Sequence, residues 1–285
     1  MPPIELECIV KFGGSSITKK DEFETINADA WSFAIEIIRK VEGKCIIVHG
    51  AGSFGHFQAK EFRVSDGFDT ESSCEDKAYV RKGFAVTKLS VTKLNHRLVS
   101  AFVEAGISAV SVSPCSGWRT EDKSKVTSSD LETITGLLEN GFLPVLHGDC
   151  VLDQTRGCTI LSGDTVIEVL ASHFKPKRVV FLTDVDGVYT LPPSHKDATL
   201  IPEIHFSEDG EIMTAVTMDT KSHDVTGGLK IKLQTAWNIL NESKGTIPVF
   251  VCNICSKAAE YSCCHGYLYE EIGTAILLCR NQDHT

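Results

Sequence analysis

Lys11 stands two residues ahead of Gly13-Gly14-Ser15-Ser16, and His56 closes a second glycine stretch, His49-Gly50-Ala51-Gly52-Ser53-Phe54-Gly55. Each stretch follows a short apolar run, Leu6 to Phe12 in the first case and Ile46-Ile47-Val48 in the second. Glycines at a strand end let the backbone approach a bound group, and the amides they expose suit an anion such as phosphate. Two such loops, one with a lysine and the other with a histidine, imply two phosphates held face to face. That pattern points to phosphoryl transfer. Neither loop is a P-loop, since no Gly-Lys-Ser/Thr opens a helix. Gly50-x-Gly52-x-x-Gly55 matches the dinucleotide spacing, but no acidic residue ends the next strand to read a ribose.

A third motif, Asp224-Val225-Thr226-Gly227-Gly228-Leu229-Lys230-Ile231-Lys232, puts a Gly-Gly pair before an apparent helix with lysines in its first turns. Amides and the helix dipole suit a nucleotide phosphate there, and a lysine can follow charge as it moves. Alone this is compatible with an ordinary turn. Its meaning comes from company: Lys11, the turn Ser162-Gly163-Asp164, and Thr183-Asp184-Val185-Asp186-Gly187.

The elements that must position these residues alternate along the chain. Strand-like runs cover Cys8–Phe12, Lys44–Val48, Ser108–Val112, Leu143–His147, Arg178–Leu182, Ile247–Val251 and Thr274–Leu278. Most are continuously apolar, as strands covered on both faces are. Phe23, Ile26, Ala30, Phe33, Ile37 and Val41 recur at helical spacing, and Asp21 with Glu24 reads as a capping box opening that helix. Leu94, Leu98, Phe102 and Ala105 mark a second helix ended by Gly106. Val166, Val169, Leu170 and Phe174 mark a third, opening from Ser162-Gly163-Asp164. Repeated strand–helix–strand order predicts a mainly parallel sheet with right-handed crossovers, whose ligands collect beyond the carboxyl ends of the strands. Both glycine loops, His147-Gly148-Asp149 and Thr183–Gly187 all fall there. His49 and His147, at strand ends, read as buried and structural. Residues 113–129 and 149–161 read as hairpin excursions, and 192–209 as a polar loop.

The chain has 285 residues, 42% hydrophobic and 23% charged, enough for one large α/β domain or two smaller ones. A net charge of −10 with no basic stripe argues against a nucleic acid or an anionic membrane as partner. No segment reaches transmembrane length and the N-terminal residues lack a signal-peptide pattern, so a cytoplasmic protein is expected. The 11 cysteines fit a reducing compartment, most of them sitting in apolar runs. Cys252-x-x-Cys255 with Cys263, Cys264 and His265 has zinc-like spacing, but the first pair closes the run Val249-Phe250-Val251. Core thiols are expected instead, and no metal site is assigned.

Taken in order, these motifs resemble the amino acid kinase family over nearly the whole chain. The resemblance implies a three-layer α/β sandwich with a mainly parallel central sheet. The acceptor would bind to the part spanning residues 1–175 and ATP, with Mg2+, to residues 176–285. It implies that Lys11 and Lys232 neutralise the transferring phosphoryl group and that Asp164 holds these lysines. Gly13, Gly14, Ser15 and Gly52 would cradle the nucleotide phosphates, with Asp184 and Gly228 also at the nucleotide. Gly52-Ser53-Phe54-Gly55-His56 looks like the acceptor loop of the subgroup that phosphorylates isopentenyl phosphate, so His56 would anchor the acceptor phosphate, and Ala51, Gly55 and Gly163 would complete its pocket. A phosphomonoester dianion beside His56 would raise its pKa toward the charged form. In that subgroup a lysine at the position of Lys20 contacts the transferring group, and the adjacent Lys19 is the alternative. The isoprenoid tail needs an apolar slot, for which Lys82-Gly83-Phe84-Ala85-Val86 and the following helix are candidates. Dimethylallyl phosphate is a second possible acceptor, and a homodimer is implied. The rivals are a kinase for another small phosphonate or phosphomonoester, of the fosfomycin-kinase kind, and a catalytically silent nucleotide-binding member.

Overall fold

The computed structural model describes residues 4–213, 227–270 and 272–279. Strand β1 (Leu6–Phe12) leads into a single helical turn, α1 (Gly14–Ile17), then α2 (Ala28–Lys40) and β2 (Lys44–His49). A 3-10 turn (Gly52–Phe54) and α3 (His56–Glu61) precede the long helix α4 (Cys74–Glu104). Next come β3 (Ala109–Ser111), α5 (Pro114–Gly117), β4 (Arg119–Glu121), β5 (Lys125–Ser128), α6 (Leu131–Glu139) and β6 (Leu143–His147). A hairpin, β7 (Asp149–Asp153) and β8 (Gly157–Leu161), runs into α7 (Gly163–Phe174) and β9 (Arg178–Thr183). The chain continues through β10 (Val188–Tyr189), β11 (Leu200–Ile201), β12 (Glu203–Phe206) and α8 (Gly227–Glu242). It ends with β13 (Val249–Asn253), α9 (Lys257–His265) and β14 (Thr274–Leu278).

The main sheet has the order β12-β14-β13-β9-β1-β2-β6-β3, and every adjacent pairing in it is parallel except β13 with β14. Successive residues of a strand point to opposite faces, so each face collects its own core. Cys8, Val10, Phe12, Cys45 and Ile47 meet α2, α4 and α9 on one side. Ile9, Ile46, Val48, Val179 and Phe181 meet α6, α7 and α8 on the other. This is the three-layer α/β sandwich with a mainly parallel sheet. Leu94, Leu98 and Phe102 of α4 recur every four residues and are fully buried. Burying each such side chain stabilises the fold by roughly 1.5–3 kcal/mol. A smaller sheet, β5-β4-β7-β8, carries both predicted hairpins as one unit.

Two expectations are corrected. The first helix starts at Ala28, capped by Asn27, and Asp21 with Glu24 is not a capping box. Thr18 instead bridges Ile26 and the Lys19 amide donates to the Thr25 carbonyl, folding residues 18–26 back on themselves. Glu24 adopts a left-handed φ of 49°, and its carboxylate accepts from Ser90 and Lys93 of α4 at 2.5 Å each. Tertiary partners outcompete local capping there. The span 192–209 is not merely a loop, because Glu203–Phe206 is β12, with Ile204 and Phe206 buried against the sheet edge. Its alternation is that of a half-covered edge strand, which a search for continuous apolar runs passes over.

Candidate active site

The carboxyl ends of four strands form a staircase. Gly13 N–H donates to the Leu182 carbonyl (2.8 Å), Gly50 N–H to Phe12 (2.9 Å) and Gly148 N–H to His49 (2.9 Å). Each loop thus begins by extending the ladder one residue past its strand, which fixes where it turns. The two predicted glycine loops touch backbone to backbone. A Cβ on Gly14 would lie 2.4 Å from the Gly52 nitrogen, and one on Gly50 would lie 2.6 Å from the Gly14 nitrogen. Gly52 also has φ +51°, a conformation that favours glycine. Thr18 ties the loops together: its hydroxyl donates to the Gly14 carbonyl (2.7 Å) and accepts from the Ser53 amide (3.0 Å).

Lys11 shares the face of Ile9, toward α7, because side chains alternate along β1. The first turn of α7, capped by the Ser162 hydroxyl on the Thr165 amide (3.0 Å), presents Asp164 to it. Lys11 Nζ and Asp164 Oδ2 are 2.8 Å apart, with side-chain exposures of 7% and 14%. The other carboxylate oxygen of Asp164 is buried and has no hydrogen-bond partner among the described residues. Gly163 makes room for the lysine stem, since a Cβ there would sit 3.3 Å from Lys11 Cε. Lys232, on α8, completes the cluster. Burial first, and then the Lys11 charge, lower its pKa, while Asp164 and Asp184 act in the opposite sense. The structure therefore brings Lys11, Asp164, Lys232 and the exposed Asp184 into one electrostatic neighbourhood. Gly228 is the second residue of α8, and Asp224, Val225 and Thr226 lie outside the described residues.

The acceptor-side candidates stand beside the second loop. Gly55 packs against Ala51 and Thr87, and a Cβ there would meet the Ala51 Cβ at 2.6 Å. His56 is the first residue of α3. Although solvent reaches its ring, partial burial and then the nearby Lys20 charge push its pKa below the ordinary value. Both causes favour the neutral imidazole, and a dianion bound beside it would act in the opposite sense. The charge of Lys20 reaches His56, whereas Lys19 pairs with Glu22 at 3.3 Å on the surface. Ser15 is exposed at the first loop, while its neighbour Ser16 is a brace, donating to the Gly13 carbonyl at 2.7 Å.

Four participants were not singled out in the sequence as parts of the site. Thr18 and Glu24 clamp the Lys20 segment to the second loop and to α4. Asn95 touches His49 (3.1 Å), and Lys88 pairs with the buried Asp149 at 2.7 Å. No local signal marks any of them, because each acts across a long sequence separation. His49 and His147 are buried, as read from their strand-end positions. Among the described residues no group of three or more His, Cys, Asp or Glu side chains is placed to hold a metal ion. Cys252 instead lies 3.5 Å from the Ser262 hydroxyl in the core, and Cys255 is exposed.

Paired anion loops over a buried lysine–aspartate pair, at the carboxyl edge of a parallel sheet, define a phosphotransferase site, and the chain belongs to the amino acid kinase family, whose model matches residues 7–253. It is 39% identical to the isopentenyl phosphate kinase of Arabidopsis thaliana, over 81% of this chain and 83% of that protein. It is 40% identical to the isopentenyl phosphate kinase of Methanothermobacter thermautotrophicus, over 79% of this chain and 84% of that protein. A solved isopentenyl phosphate kinase structure superposes with a TM-score of 0.79 at 32% identity, covering 95% of this chain and 99% of the other.

Proposed function

We propose that this chain is an ATP-dependent kinase that converts isopentenyl phosphate to isopentenyl diphosphate, a step of isoprenoid biosynthesis. The observation that carries this reading is the joined pair of glycine loops, with Lys11 and Asp164 beneath one and His56 with Lys20 at the rim of the other. The relatives named isopentenyl phosphate kinase agree with it in length and in fold.

In this reading the terminal oxygen of the acceptor phosphate attacks the γ-phosphorus of ATP in line, and ADP leaves. A phosphomonoester oxygen is already ionised near neutral pH, so no strong general base is required. The work of the protein is positioning and charge neutralisation. Lys11 and Lys232 neutralise the moving phosphoryl group, and Asp164 keeps Lys11 aimed. Gly13, Gly14, Ser15 and Gly52 hold nucleotide phosphates, and Asp184 and Gly228 stand at the nucleotide. Ala51, Gly55, His56 and Gly163 take the acceptor phosphate, and Lys20 rather than Lys19 reaches the transferring group. Mg2+ would arrive on the ATP phosphates, which suits a site offering one exposed carboxylate, Asp184, rather than an all-protein cage. When bound it would add positive charge along the triphosphate. The family resemblance supports a homodimer, and a cytoplasmic setting accords with the absence, among the described residues, of a helix long and apolar enough to cross a membrane.

The test is ADP release measured with isopentenyl phosphate, dimethylallyl phosphate and fosfomycin side by side. Turnover with isopentenyl phosphate is expected. Turnover with fosfomycin alone would reassign the acceptor, and ATP binding without ADP from any of the three would make the chain a silent family member.

A further inference from the structure

His49 and His147 end adjacent parallel strands in register, and their rings stack with centroids 5.3 Å apart. Both are fully buried, and neither has a part in the transfer step described above. Each ring lies 3.0 Å, through Nδ1, from the carbonyl of the glycine that follows it, Gly50 or Gly148. A carbonyl only accepts, so Nδ1 must carry the proton in both rings. The Nε2 of His49 is then an acceptor, and Asn95 Nδ2 donates to it at 3.1 Å. Asn95 in turn donates to the Val145 carbonyl at 3.4 Å and accepts from the Ser111 hydroxyl, so its own orientation is fixed. Every hydrogen-bonding atom of the His49 ring is satisfied in one tautomer, which is the condition under which a buried polar network rigidifies its surroundings. Burial and the neighbouring imidazole push the His49 pKa down to about 3, so the ring stays neutral.

The consequence lies one peptide further on. In a trans peptide the carbonyl and the following N–H point in opposite directions. Because His49 draws the Gly50 carbonyl into the core, the Ala51 N–H must point out of it, over the strand ends. Among the described residues nothing accepts from that amide. Gly50 has little room on the side of the facing loop, where a Cβ on it would lie 2.6 Å from the Gly14 nitrogen. We propose that His49 is a positioning residue, its Nδ1–H clamping the Gly50 carbonyl so that the Ala51 amide is aimed at the acceptor's phosphate. This rests on the reading of that loop as the acceptor cradle.

Asparagine places its amide nitrogen, a donor, near the Nδ1 position of histidine, and glutamine can place its amide oxygen, an acceptor, near Nε2. His49→Asn therefore keeps the clamp on Gly50 and loses the Asn95 contact, while His49→Gln does the reverse. With isopentenyl phosphate as acceptor, His49→Asn is expected to stay within about threefold of the native KM. His49→Gln and His49→Leu are expected to raise it roughly 10- to 100-fold, the worth of one hydrogen bond to a charged group, with the KM for ATP unmoved. Equal shifts in the asparagine and glutamine variants, or parallel shifts in both KM values, would overturn the proposal. Should the variants fail to fold, hydrogen exchange on the native protein decides: isopentenyl phosphate should slow the Ala51 amide, and an unchanged rate would overturn it equally. Native protein that releases no ADP with isopentenyl phosphate would instead overturn the acceptor reading on which the clamp depends.

Discussion

Replacing Asp164 by asparagine should damage the empty protein more than removing the lysine it holds. Lys11 and Asp164 form a 2.8 Å ion pair with little solvent access on either side. Breaking a buried pair by removing one partner costs about 3–5 kcal/mol, chiefly because the remaining charge is stranded. The two partners are not equivalent, however. Asp164→Asn leaves Lys11 and Lys232 with only the exposed Asp184 among the carboxylates of the cluster, whereas Lys11→Met leaves Asp164 opposite Lys232, whose charge it already feels. Asp164→Asn should therefore cost the full 3–5 kcal/mol, roughly 6–20 °C in Tm, and Lys11→Met distinctly less. The double variant, with no buried lysine left at position 11 to strand, should cost less than the sum of the two. Urea unfolding of the four proteins gives the cycle. A non-hydrolysable ATP analogue should recover more stability in Asp164→Asn than in the native protein, because its phosphates supply the missing anion. The reasoning fails if Asp164→Asn lies within about 1 kcal/mol of native, a surface-pair value, or if Lys11→Met proves the costlier change.

Three further outcomes are expected. His56→Asn should raise the acceptor KM with little effect on ATP. Because the free histidine titrates below its usual range and a bound dianion reverses this, calorimetry near pH 7 should find native protein taking up part of a proton with isopentenyl phosphate that the variant does not. Gly14→Ala, whose new methyl would sit 2.4 Å from the Gly52 nitrogen, must push the loops apart. An ångström of misplacement should cost on the order of 100-fold in kcat/KM, and a near-native value would show the contact to be dispensable. For His49 the unfolded chain takes up a proton below about pH 6.5 that the folded chain refuses until about pH 3. Stability should fall with acid across that window by about 1.4 kcal/mol per pH unit more than in His49→Asn, and parallel unfolding curves would contradict it.

What the sequence made legible follows from the range of the forces involved. Continuous apolar runs such as Leu143–His147 read as strands covered on both faces, so seven of the eight strands of the main sheet were readable, and the half-covered edge strand β12 was not. The turn Ser162-Gly163-Asp164 was readable as a helix start because its capping serine acts three residues away, on the Thr165 amide. The start of α2 was misread because Glu24 answers to Ser90 and Lys93, 66 and 69 residues distant. At the site, motif spacing located Lys11, Asp164 and Lys232 on separate elements, and the fold places them together. The braces among those elements were invisible. Thr18 joins the two loops across 35 residues, and Asn95 reaches His49 across 46, and no periodicity encodes such contacts.

The charge distribution explains why such a site should accept polyanions at all. The chain carries a net charge of −10, so its far field repels nucleotides and phosphomonoesters. Binding must come from a local reversal of sign. Burial and then the charge of Lys11 lower the pKa of Lys232, while Asp164 and Asp184 act in the opposite sense. On the acceptor side burial and then the charge of Lys20 lower the pKa of His56. On the proposed reading each half thus presents at least one lysine whose charge an arriving anion would offset. A monoanion relieves one half. Only a triphosphate opposite a phosphomonoester relieves both, which makes the ternary complex the electrostatically complete state. On the proposed reading, once transfer has moved a phosphoryl group across the loop contact, each product still carries an anion to its own half.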